Sequence, residues 1–200
     1  FKAVNDGLGH AAGDAVLVEA ARVIGANVRE TDIVARWGGE EFLVIMRFTD
    51  RDAATAQAER LRAAIAATVV ELPGHRTVQV TCSIGVAVHP FVPGDPDRLD
   101  WESVVALADL GTYAAKRLGR DAWVSYWPTP TLAESIGDHV SPTVLETLIA
   151  SGAIACEGSR PAPAPVPAPD DDATATAPPA LVVLEPSRRV ARYEPIFPRA

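Results

Sequence analysis

A chain of 200 residues with 48% hydrophobic and 22% charged side chains has room for one domain with a real core and a tail. Its net charge of -8 argues against nucleic-acid polymers or anionic lipid surfaces as general partners, yet leaves room for a nucleotide held by a few local cations or a recruited metal. Cys82 and Cys156 stand far apart in no zinc-like or redox-like spacing, which suits a reduced, cytoplasmic setting, and no apolar run reaches the length of a membrane span or a signal peptide.

The spacing of Leu17, Ala20, Ala21, Ile24 and Val28 predicts a helix over 13–28 with one buried face. "DIVARW" (32–37) and "FLVIM" (42–46) read as two strands. Gly38 and Gly39 between them are a hairpin signal, because glycine supplies the positive φ of tight turns. A second helix is expected over 50–68, with Ala54, Ala58, Leu61 and Ile65 on one stripe. "TVQVTCSIGVAV" (77–88) is β-branched and apolar, with Gly85 marking a bulge or a close backbone approach. After a loop at 89–97, Asp100 is an N-cap for a third helix over 101–118. "AWVSYW" (122–127) is a last strand.

This order predicts an α+β (α/β-like) domain: a mixed central sheet flanked by helices, spanning 1–127. Residues 128–157 form an extension with a short helix at 142–150. Residues 158–179, dominated by Pro, Ala and Asp, read as an extended linker, and 180–200 either dock as a strand or remain a tail.

Gly38-Gly39-Glu40-Glu41 carries two readings. A soluble hairpin rim is one. The other is a site for a hard cation, because magnesium takes a few oxygen ligands and leaves room for substrate phosphates, while bare glycines admit a nucleotide to the backbone. The tetrad alone does not choose between them. Its company does. "FKAVNDGLGHAAGDAVL" (1–17), "RETDIVARWGGEEF" (29–42) and "ADLGTYAAKRLGRD" (108–121) together resemble the GGDEF family of diguanylate cyclases over roughly 1–127.

The resemblance implies a fold like the palm of nucleotide cyclases and polymerases. It implies a nucleotidyltransferase that condenses two GTP into cyclic di-GMP and two pyrophosphates, in a homodimer holding one GTP per subunit. The ion would be Mg2+, with Mn2+ as the alternative. Glu40 matches the family's metal-binding acid and a group that helps deprotonate the 3'-hydroxyl. Glu41 matches the next position, either as a ligand or in support. Gly38 and Gly39 match the turn against the phosphates and ribose. Asn5 and Asp14 match the guanine-reading pair, where a carboxylate accepts from N1 and N2 hydrogens and an amide serves the remaining edge. His10 matches a position near the nucleotide. Lys2, Lys116 and Arg120 match phosphate-binding cations, the last two sharing a face if helix runs on through Gly119. Arg29 and Asp32 form R-x-x-D at the offset of the family's inhibitory cyclic di-GMP site, where arginine pairs with phosphate or guanine and stacks on a base.

The match begins at the Phe-Lys of the family's D-x-D-x-F-K segment. The expectation is therefore a fragment without its metal aspartate and first central strand, inactive by itself, with unpaired backbone left in the sheet. A longer parent with an upstream sensory or membrane region is expected too. The alternative function is a non-catalytic module that binds GTP or cyclic di-GMP. Gly111 stands where a better helix former would be expected.

Overall fold

The computed structural model describes residues 1–72, 76–92, 95–136, 142–159 and 180–184. The expected linker at 160–179 and the tail beyond 184 lie outside them. No helix among the described residues is long and apolar enough to cross a membrane.

The chain opens with two helices, α1 (Lys2–Leu8) and α2 (His10–Asn27). They are hinged at Gly9, whose φ of +87° turns the chain while its N–H bonds to the Asn5 carbonyl at 2.9 Å. The apolar stripe marked only the later part of α2, because α1 buries no residue of its own. Strands β1 (Ile33–Gly38) and β2 (Glu41–Ile45) follow as the expected hairpin. Helix α3 (Arg51–Ala67) starts where Asp50 accepts the Ala53 amide at 2.8 Å.

The run at 77–88 splits. Its first part forms β4 (Arg76–Gln79), paired antiparallel with β3 (Val69–Leu72) as a separate ribbon, and its second part is β5 (Ser83–Ala87) of the main sheet. Helix α4 (Trp101–Arg117) is capped as expected by Asp100, which accepts the Ser103 amide at 2.8 Å. Then come β6 (Ala122–Pro128), the single turn α5 (Leu132–Ser135), α6 (Pro142–Ala150), β7 (Ile154–Gly158) and β8 (Ala180–Leu184).

The main sheet has the order β1-β2-β8-β5-β6-β7. Alternation along its strands sends Val34, Phe42, Val44, Ile84 and Val86 toward α2 and α3, and Ala35, Leu43, Ala87, Val124 and Tyr126 toward α4 and α6. The architecture is thus a mixed helix-and-sheet domain with a central mixed sheet between two helical layers.

Two strands carry the sheet beyond the expected domain end. β7 adds antiparallel to β6, and Arg51 fastens it by bonding Glu157 at 2.6 Å while stacking 5.3 Å from the Trp127 ring. β8 lies between β2 and β5, parallel to both, with Ala180 opposite Glu41 and Ser83. The expected central gap is therefore filled, by backbone from the far end of the chain. β8 completes the hydrogen-bond ladder but not an acid set, because its residue at the hairpin end is alanine.

Gly111 has a packing reason. A Cβ there would lie 2.8 Å from the Val124 carbonyl oxygen, and one on Gly85 would lie 1.7 Å from that of Ala108. The two bare positions let α4 sit directly on β5 and β6, so helix propensity at 111 yields to close approach. Gly85 marks that approach instead of a bulge.

Candidate nucleotide site

The hairpin tip is built by Arg36, Trp37 and the glycines. A register shift between Arg36 and Gly38 gives way to a turn at Gly39 and Glu40, with Gly39 at φ +47°. Arg36 clamps that turn, donating from Nε and Nη2 to the Gly39 carbonyl at 2.9 and 2.6 Å. A Cβ on Gly38 or Gly39 would meet nothing within 4 Å, so the space over the turn is open. Trp37 packs edge-on against Trp101, ring centroids 6.3 Å apart, which ties the tip to the start of α4.

Charges from three distant parts of the chain converge on this tip. Glu40 has its carboxyl pushed up by partial burial first. The Phe1 ammonium and Lys116 pull it down, and neighbouring Glu41 pushes it up. The Phe1 ammonium is itself lowered, by burial first, with Glu40 raising it and Arg120 lowering it. The start of the chain, the hairpin and the end of α4 therefore share one electrostatic neighbourhood, in which Lys116 acts on Glu40 and Arg120 on the Phe1 ammonium.

Lys116 and Arg120 do not share a helical face, as continuous helix through Gly119 would require. The helix ends at Arg117, and Gly119, Arg120 and Asp121 have φ of +99°, +62° and +47°. Lys116 therefore acts on Glu40 from the helix, and Arg120 on the Phe1 ammonium from the turn after it.

The packing of α1 on α2 sets Asn5 against Gly13. The Asn5 side-chain oxygen lies over the bare backbone of Gly13, the residue before Asp14. His10 opens α2 and Lys2 opens α1, both exposed to solvent.

Arg29 and Asp32 form a local turn. Asp32 accepts the Arg29 amide at 2.9 Å and the Arg47 amide at 3.4 Å, and the Asp32 amide donates to the Arg29 carbonyl at 3.0 Å. The carboxylate of Asp32 is thus engaged by backbone, while Arg29 is exposed.

Asp109 is an acid that the sequence reading passed over. It follows Ala108 on α4, on the side of the sheet that Glu41 shares with Leu43. Desolvation first, then the like charge of Glu41, push its carboxyl up to about 6, with Lys116 pulling the other way. The signal was in the quoted motif itself: Asp109 and Lys116 are seven apart, two helical turns, and so lie on one face.

Among the described residues no group of three or more His, Cys, Asp or Glu side chains is gathered for a metal. Glu40 and Glu41 do supply hard oxygen donors at an open tip. That fits an ion of the magnesium type, which uses one or two carboxylates and fills the rest of its shell with water and phosphate oxygens.

The family profile described as "Diguanylate cyclase, GGDEF domain" matches residues 1–122. Diguanylate cyclase A of Treponema denticola is 41% identical over 121 residues, covering 60% of this chain and 31% of that protein. Diguanylate cyclase DgcP of Pseudomonas aeruginosa is also 41% identical over 121 residues, covering 60% of this chain and 17% of its own length. Diguanylate cyclase DosC of Escherichia coli K12 is 33% identical over 127 residues, covering 64% and 26%. The chain thus spans at most 31% of these relatives. Among solved structures, diguanylate cyclase SiaD of P. aeruginosa, in complex with its activator SiaC, is similar with 37% identity and a TM-score of 0.51. That match covers 60% of this chain and 44% of that one.

Proposed function

The chain belongs to the GGDEF family of diguanylate cyclase domains, and on that premise we propose that its hairpin tip, α1, α2 and the end of α4 form one GTP half-site. Two such half-sites, facing each other in a homodimer, would condense two GTP into cyclic di-GMP and two pyrophosphates. The observation that carries the reading is Lys116 acting on Glu40, beside Glu41, at an open glycine turn. Such a site offers cations to a triphosphate and carboxylates to its counter-ion.

Each residue has a defined task. Lys116 and Arg120 take the negative charge of the phosphates, with Lys2 as a further phosphate cation. Gly38 and Gly39 leave the backbone open to phosphate and ribose. Asn5 and Asp14 read the guanine edge, and His10 is assigned to the same nucleotide. Glu40 and Glu41 hold the divalent ion that the family uses, which we assign as Mg2+. When bound, that ion neutralises phosphate charge and polarises the attacked phosphorus. Glu40 is also assigned to accept the proton of the 3'-hydroxyl. Its desolvation raises the carboxyl's proton affinity toward that of a working base.

Arg29 is assigned to an inhibitory site for the product. Its guanidinium is exposed, and Asp32, held by two backbone amides, sets the turn that presents it. Arg29→Ala should relieve inhibition by added cyclic di-GMP, and unchanged inhibition removes this assignment.

A domain that binds GTP without turnover is the second reading.

The test is GTP with Mg2+, first as binding to this chain and then as product identification in a longer parent. Glu40→Gln should abolish cyclic di-GMP formation while the protein stays folded. Full activity in that variant would remove Glu40 from the metal and base roles. GTP binding with no cyclic di-GMP from the parent would establish the second reading.

A further inference from the structure

The chain leaves α4 through three successive left-handed residues, Gly119, Arg120 and Asp121. Glycine enters this region freely, whereas for arginine and aspartate the Cβ crowds the neighbouring carbonyl. Such backbone persists only where its surroundings over-determine it. Two restraints are in place. The Arg120 N–H donates to the Ala115 carbonyl at 3.1 Å, which closes the end of the helix. The Asp121 carboxylate accepts from Arg62 Nη1 at 2.5 Å, which ties the turn to α3, fifty-nine positions earlier.

Arg62 is itself held. Its Nε and Nη2 donate to the two Glu59 oxygens at 2.9 and 2.6 Å, and Glu59 Oε2 also accepts the Trp123 indole N–H at 3.1 Å. These bonds draw the Glu59 carboxyl down and the Arg62 guanidinium up from their ordinary values. The Arg62 side chain is 20% exposed and that of Asp121 33%, so the pair is partly shielded from the screening that weakens surface bridges. Glu59, Arg62, Asp121, Trp123 and Ser159 line one cleft of about 440 Å³. Because Arg62 is saturated by two carboxylates, its charge is not available to a ligand there. Its geometry serves the turn instead.

We propose that the Arg62–Asp121 pair is the device that positions Arg120 for the triphosphate. The first restraint holds the Arg120 amide itself and the second the residue after it, so the direction of Arg120 is set by how the turn is anchored. Asp121 is a positioning residue and touches no substrate. The inference rests on the reading of Arg120 as a phosphate cation.

The test uses the full chain and three variants. Asp121→Ala removes the anchor and keeps the strain. Asp121→Gly removes the anchor and relieves the strain. Asp121→Asn keeps one carbonyl oxygen for Arg62 and tolerates the left-handed region. Amide exchange at Arg120 is measured against exchange in α2, and binding of inorganic triphosphate against binding of guanosine. For the Ala and Gly variants, Arg120 exchange should rise about tenfold or more, and triphosphate affinity should fall about fivefold to tenfold, with guanosine affinity and α2 exchange unchanged. The Asn variant should recover most of both. Wild-type exchange and triphosphate affinity in the Ala and Gly variants would overturn the proposal. Arg120→Ala separates the two levels. If it leaves triphosphate affinity unchanged, the phosphate reading falls, and the anchor's purpose with it. If it weakens binding while the Ala and Gly variants do not, the anchor alone falls.

Discussion

A methyl group on Gly13 would lie 1.9 Å from the Asn5 side-chain oxygen, so that side chain holds its place only because position 13 is bare. The conflicting atom ends a rotatable side chain. Gly13→Ala should therefore leave the fold intact, and helix propensity favours alanine by about 1 kcal/mol. What it moves is Asn5. The expected outcome is a GTP affinity lowered about tenfold, with the preference over ATP reduced and inorganic triphosphate binding unchanged. Titrations with the three ligands check it, and an unaltered preference for GTP would take Asn5 out of guanine reading.

At Gly85 the conflict is with backbone. An added Cβ would sit 1.7 Å from the Ala108 carbonyl oxygen and 2.6 Å from the Thr112 nitrogen, neither of which can rotate away. Gly85→Ala should cost about 3 kcal/mol, at the top of the usual range for overpacking, and lower Tm by roughly 6–12 °C. Gly111→Ala meets its nearest backbone oxygen at 2.8 Å and gains helix propensity, so its loss should be smaller. Thermal melts of both variants test the order; a Gly85→Ala chain as stable as wild type would mean α4 does not rest on β5 in this way.

Asp109 gives a signed pH dependence. Its carboxyl titrates near 6 in the folded protein against 3.8 ordinarily, so the folded state binds its proton more tightly than the unfolded state does. The stability this provides is fully present below 3.8 and is lost as pH rises through 6. Asp109→Asn cannot titrate. Its advantage over wild type should grow across that window and level off near neutral pH at about 1 kcal/mol, because the side chain keeps contact with solvent. Urea midpoints at successive pH values measure it, and an advantage that shrinks with rising pH would contradict the assignment.

Removing residues 160–200 strips β8 from between β2 and β5. Two ladders then lose their shared partner in the middle of the sheet, where water has poor access. Tm should drop by roughly 10 °C or more, with amide exchange rising first in β2 and β5. If the shortened chain melts like the full one, these ladders do not depend on Ala180–Leu184.

Local chemistry made much of the fold legible. Asp100 announced its helix and is bonded to the amide three residues on, as Asp50 is at the start of α3 without having been read as a cap. The apolar stripe of Leu61 and Ile65 and the glycines of the hairpin were equally direct. Long-range pairing was not. Nothing local distinguishes β7, a five-residue strand whose partner is β6, or tells that 77–88 feeds two different sheets. The candidate site divides the same way. Its motifs could be read, but the turn at Gly119–Asp121 breaks the helical spacing on which the pairing of Lys116 with Arg120 relied. Arg62 carries no local mark of its bond to a residue in that turn.

The position of β8 also bears on how the protein is made. Residues that the ribosome delivers long after β2 and β5 form the strand that joins them. Helices α1 to α3 and the hairpin can form as they emerge, but β2 and β5 cannot be bridged until residue 184 has cleared the exit tunnel. Val44 waits for Val183, a pairing across most of the chain, and contacts of such separation close slowly. Among the described residues only β8 bridges β2 and β5, so until it docks those two edges can pair with another extended segment, including the same strand of a neighbouring molecule.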